Sequence, residues 1–157
     1  MPTTTLADYH ASLEVKMTPQ KAADLISQVS NWWTKNTRGN TKNLNDIFTV
    51  SFGETFSRFR IIELIPAEKI VWYVEDCNLH WMKDKKEWKD TKIVFEIFAS
   101  NDSAKIDMTH IGLNARKECF EDCTGGWNHY IKESLYKLMT EGQGLPDHKD
   151  NSELEKQ

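Results

Sequence analysis

Apolar and polar positions alternate from the start of the chain. Ala11, Leu13, Val15 and Met17 face one way and His10, Ser12, Glu14 and Lys16 the other, which predicts a half-buried strand over residues 9–17. Thr18-Pro19 supplies an N-cap and a first helical residue. Ala22, Ala23, Leu25, Ile26 and Val29 then keep helical spacing, so a helix follows to about Gln28. Asn31-Trp32-Trp33 predicts a second short helix, and residues 35–45 are polar and loop-like. Strands are predicted over 47–52, over 55–65 and from 70 onward, with Gly53 and Pro66-Ala67-Glu68-Lys69 as the breaks. After a charged turn at 83–87, strands over 91–98 and 104–111 flank the turn signal Asn101-Asp102-Ser103. Cys123, Trp127, Tyr130, Ile131, Ser134, Leu135 and Leu138 recur three or four apart, an amphipathic helix from Phe120 to Met139. Gly142, Gly144 and Pro146 end it.

This order predicts an α+β fold: a curved antiparallel sheet of about six strands wrapped around a long C-terminal helix, with two short helices after the first strand. One helix has to cover the whole apolar face, so the sheet must curl around it. Such a grip is expected to leave an internal cavity between sheet and helix. The expected domain is 1–145, followed by a flexible polar tail over 146–157.

Composition narrows the function classes. A chain of 157 residues suits one domain with a substantial core. Twenty-four acids against twenty bases give a net charge of −4, the wrong sign for broad nucleic-acid or membrane-surface binding. No apolar run approaches the ~18–20 residues of a membrane span. The start Met1-Pro2-Thr3-Thr4-Thr5 has none of the features of a signal peptide, and three Cys suit free thiols, so a cytoplasmic location is expected. Six Trp, seven Phe and four Tyr imply either a dense aromatic core or a ring-lined cavity.

Several residues could carry chemistry. His110 falls on the apolar face of its strand with Ile106 and Met108. It would serve as an acid, base or ligand donor, or else be a core His satisfied by a backbone carbonyl or by a side chain of the long helix. Cys77-x-x-His80 with Cys119-x-x-x-Cys123 has the residue types of a zinc site but no motif that joins the halves, and no metal or cofactor is expected. Glu63 shares a face with Phe59, Ile61 and Ile65; it is an inward base or, at a strand end, a solvated carboxylate. Arg58 and Arg60 share the opposite face, as an anion clamp or a solvated outer face. Between Trp81 and Lys92, lysines and acids interleave with Trp81 and Trp88, which cross-strand pairing in a hairpin would explain. Gly125-Gly126 lacks the Lys-Ser/Thr of a phosphate loop and reads as a helix segment that lets Trp127 pack under the sheet.

These stretches taken in order resemble a known family. Trp32-Trp33, the run Glu63-Leu64-Ile65-Pro66-Ala67-Glu68-Lys69-Ile70-Val71, Val94-Phe95-Glu96-Ile97, Met108-Thr109-His110-Ile111-Gly112-Leu113 and Gly125-Gly126-Trp127 are similar to the START-like (SRPBCC) helix-grip superfamily. They more closely resemble its branch related to the C-terminal domain of the Aha-type activator of heat-shock-chaperone ATPase. The resemblance spans roughly residues 8–142. It implies the curved sheet, the long helix and an internal pocket, but no single activity. The leading expectation is binding of an apolar or amphipathic, lipid-like small molecule without catalysis. Candidate pocket residues are Trp32, Phe48, Phe52, Phe59 and Trp72 with Phe95, Met108, His110, Trp127 and Tyr130. Alternatives are a chaperone as protein partner, and a cyclase or hydrolase that uses His110.

Overall fold

A computed structural model describes residues 7–147, and the period-two patterning of the sequence carries into its sheet. β1 (Tyr9–Val15) is followed by α1 (Pro19–Ser27) and α2 (Val29–Trp32). Thr18 caps α1, its hydroxyl accepting the Lys21 N–H at 3.1 Å, and Pro19 takes the first turn. β2 (Thr37–Gly39), β3 (Ile47–Phe52), β4 (Thr55–Ile65), β5 (Lys69–Asn78), β6 (Lys92–Ser100) and β7 (Ser103–Ile111) follow. All seven strands form one antiparallel sheet in the order β1-β7-β6-β5-β4-β3-β2.

The C-terminal helix runs without a break over 120–141. It comprises α3 (Phe120–Trp127), a π-helical stretch (Asn128–Leu135) and α4 (Tyr136–Glu141). Gly142 ends it in the left-handed conformation, φ 82°.

Three details depart from the sequence reading. The seventh strand, β2, lies in the stretch read as a polar loop. It is only three residues long, too short to show alternation, and pairs with β3 alone. Gly39 makes the pairing possible: at φ +99° a Cβ would collide with the Ile47 carbonyl oxygen. Secondly, β4 is irregular against β5 between Ile61 and Glu63, which breaks the alternation. Leu64 then packs on the core, while Glu63 pairs with Lys69 at 3.5 Å near solvent, so it is not the inward base that strict alternation offered. Thirdly, Pro146 and Asp147, which the sequence reading placed in the tail, pack against the domain. Pro146 is buried, and Asp147 bridges Thr34 through backbone bonds to Trp33 and Lys35. The rest of the expected tail, 148–157, lies outside the described residues, as does the Met1–Thr5 start.

Inside the grip the rings meet. Trp32, Phe48, Phe59, Trp72, Phe95 and Met108 are fully buried. Trp72 stacks on Trp32 at 6.4 Å and meets the Phe48 and Phe95 rings edge-on at 5.1 and 4.9 Å. Burial of such rings contributes about 1.5–3 kcal/mol each. On the outer face Arg58 and Arg60 both reach Glu75, at 3.6 and 2.8 Å, which makes them a cross-strand ion-pair network.

Candidate functional site

Because the middle of the grip is filled, open space is left at one end of it. A pocket of about 290 Å³ lies where the β3–β4 hairpin, the β5–β6 connection and the N-terminal half of the C-terminal helix converge. The hairpin supplies Phe52, Thr55 and Ser57, and the connection supplies Leu79, Trp81 and Trp88. Asp122, Cys123, Gly126, Trp127 and Tyr130 come from the helix, and Trp33 closes the inner end. A larger groove of about 530 Å³ runs between α1 and the chain after α4, but its lining is mixed and it gathers no rings.

Of the ten residues expected to form a pocket, Phe52, Trp127 and Tyr130 lie along this one. Trp32, Phe48, Phe59, Trp72, Phe95 and Met108 belong to the filled centre, and His110 sits behind Trp127. Sequence reasoning missed Trp33 and the whole β5–β6 connection. Trp33 is 3% exposed and meets Trp127 at 4.8 Å and Phe59 at 5.6 Å. Trp81 and Trp88 do not pair across a hairpin. Trp88 folds inward and stacks on Trp127 at 5.7 Å with the planes 7° apart. Trp81 stays half exposed, and its indole N–H donates to Asp122 Oδ2 at 3.2 Å. The signal available in the sequence was the pair of tryptophans itself, in a connection otherwise made of charges.

His110 is fully buried, and both of its ring nitrogens are used. Trp127 Nε1–H donates to Nδ1 at 3.0 Å, which leaves the ring proton on Nε2. Nε2–H then donates to Thr91 Oγ1 at 2.8 Å, and Thr91 passes its own hydrogen to the Trp88 carbonyl. Burial, with a smaller contribution from Lys117, pushes the imidazole down to about 3. The residue is therefore a neutral core His satisfied by a side chain of the long helix. In this geometry it has no nitrogen left to offer a substrate, which weighs against a hydrolase or cyclase built on it.

The connection is pinned to the helix by a carboxylate. Glu87, 8% exposed, accepts the Glu118 N–H at 2.7 Å and the Cys119 N–H at 3.0 Å, so a negative charge faces the helix N-terminus. The neighbouring Cys119 sulfhydryl and burial both hold the Cys123 thiol above its usual range. Cys77 is raised by burial too, and its S–H donates to the Lys85 carbonyl at 3.4 Å. His80 instead pairs with Glu54 at 2.7 Å. Among the described residues no three His, Cys, Asp or Glu side chains are grouped as metal ligands.

Polar atoms are few in the pocket. Burial raises the Tyr130 hydroxyl to about 12, helped by Asp147. The Trp88 indole N–H completes no hydrogen bond, although the Cys123 sulfur lies within its electrostatic reach. Asp122 is the one charged side chain in the lining, and among the described residues it belongs to no ion pair. A Cβ added to Gly126 would meet nothing within 4 Å. The helix thus withholds a side chain where it borders the pocket.

No protein-family model matches the chain, and no curated protein matches it. Solved structures do. The solution structure of the Aha1 dimer from Colwellia psychrerythraea superposes with a TM-score of 0.71 at 18% identity, over 88% of this chain and 100% of that one. Protein MLL2253 from Mesorhizobium loti gives 0.65 at 12% identity, over 87% and 100%. CalU16 from Micromonospora echinospora gives 0.58 at 8% identity, over 78% and 70%. At these identities the likeness is one of fold, and that fold is the helix-grip anticipated from the sequence. Among the described residues no helix is long and apolar enough to cross a membrane.

Proposed function

We propose that this protein binds a small apolar or amphipathic molecule in the pocket between the β3–β4 hairpin, the β5–β6 connection and the C-terminal helix. The observation that carries the reading is the bare Gly126 backbone beside a ring-lined space. Glycine inside a helix is less favourable than alanine by about 1 kcal/mol, and here no neighbouring atom requires it. A ligand that fills the gap would account for the missing side chain. Trp33, Phe52, Trp88 and Trp127 would supply apolar area, with the Tyr130 hydroxyl and the Trp88 N–H as orienting polar groups. Catalysis is not part of this reading. At about 290 Å³ the pocket takes on the order of ten water volumes of ~30 Å³, so the ligand is small.

Thermal unfolding against a panel of small apolar and amphipathic molecules tests it. A ligand present at a hundred times its Kd stabilises by ~2.7 kcal/mol, and Gly126→Leu should abolish that gain while the variant stays folded. If no member of the panel raises the unfolding temperature, the reading fails.

A chaperone partner is the second reading. It is supported by the likeness to the Aha1 dimer alone, and a pull-down with the chaperone at physiological salt checks it.

A further inference from the structure

Every charged side chain that lines the pocket is negative, and there is one of them. Asp122 stands at the mouth, exposed, with Oδ2 accepting the Trp81 N–H and no Lys, Arg or His in the lining to neutralise it. Around it the walls are largely aromatic: Trp33, Trp81, Trp88, Trp127 and Tyr130, with Phe52 beside them. The negative faces of aromatic rings attract a cation within about 6 Å of a ring centre, most strongly where water is excluded. The same walls offer a carboxylate or phosphate no cationic partner, only neutral donors such as the Trp88 N–H and the Tyr130 hydroxyl, and Asp122 repels it. Glu87 adds a second carboxylate nearby, this one buried and felt by Cys123, although its oxygens are engaged by the helix N-terminus.

We infer that the pocket selects an amphipathic cation, an alkylated ammonium group carried on a short apolar chain, rather than a fatty acid or other anion. The inference rests on the binding function proposed above and names its ligand class. The alkylated ammonium sits among the rings at the mouth, with Asp122 as counter-charge, and the chain runs inward past Gly126 towards Trp33. Trp81 is the outermost wall: half exposed, and tethered by its bond to Asp122.

Titration calorimetry with hexyltrimethylammonium, octanol and octanoate, probes of similar length and different charge, decides the matter. The cation should bind at least about tenfold more tightly than either of the others. Asp122→Asn keeps the acceptor for Trp81 but removes the charge, and should shrink that preference severalfold while the affinity for octanol stays the same. Trp81→Leu should weaken the cation more than the alcohol. Equal binding of all three probes, or an undiminished preference in Asp122→Asn, overturns the assignment and leaves the pocket as a general apolar site. If none of the three binds, the inference falls together with the binding function itself.

Discussion

His110 illustrates how a residue type that suggests chemistry becomes structural once its partners are known. The unfolded imidazole titrates near 6.5 and the folded one near 3, because burial in the core opposes its charge. Between those values the unfolded chain holds the extra proton, so stability is complete above about pH 6.5 and falls as pH drops towards 3. The loss is on the order of 1 kcal/mol per pH unit from this group. His110→Gln should be less stable at neutral pH by about 1–3 kcal/mol, since Trp127 and Thr91 lose geometry. Its deficit relative to the parent should shrink between about pH 7 and about pH 5. Denaturant titration of both proteins at the two pH values checks this; a constant deficit would mean the imidazole is not held neutral. The inward position of His110 was legible from alternation with Ile106 and Met108. A partner on the long helix was among the alternatives and is Trp127; the use of the second nitrogen was not legible, because Thr91 is brought in by the connection that leads into β6.

At the level of elements, periodicity found the helices and the long strands, and β3 and β4 appear with the limits that Gly53 and Pro66 suggested. What periodicity could not reach was conformation that leaves the spacing of buried positions unchanged. The π-helical stretch is one case: Ile131, Ser134 and Leu135 are buried and still fall three or four residues after Trp127 or one another, as in an ordinary helix. The β5–β6 connection is another, since its shape is set by Glu87 on the helix N-terminus and by Trp88 under Trp127, both tertiary contacts. The glycine pair offers an internal comparison within one element. Gly125 is exposed and Gly126 borders the pocket, yet an added Cβ meets nothing at either. Both Gly125→Ala and Gly126→Ala should stabilise the helix by roughly 0.5–1 kcal/mol. Only Gly126→Ala should weaken ligand uptake. Melting curves with and without a binding ligand separate the two effects, and equal uptake by both variants would disconnect Gly126 from the pocket.

Across the whole molecule, the grip is closed by a clasp near its C-terminal end. Ser134, fully buried, donates to the Trp32 carbonyl at 2.6 Å and accepts the Leu145 N–H at 2.7 Å, and so ties helix, α2 and the segment after Gly142 together. Gly144 passes so close to the Asn31 and Ser134 carbonyls that a side chain there would collide with them. Ser134→Ala takes this partner from the buried Trp32 carbonyl and from the partly buried Leu145 N–H, and should cost about 1–3 kcal/mol. Limited proteolysis should then cut around residues 144–147 faster than in the parent; an unchanged rate would show that the clasp is redundant. The same aromatic filling that leaves the pocket at the edge also joins Trp72, Trp32, Trp33, Trp127 and Trp88 in an unbroken chain of ring contacts. Indoles this close exchange excitation energy in both directions, so light absorbed at the centre is shared with the rings that border the pocket. The protein carries its own antenna, and quenching by an occupant at the mouth would be read by tryptophans that never touch it.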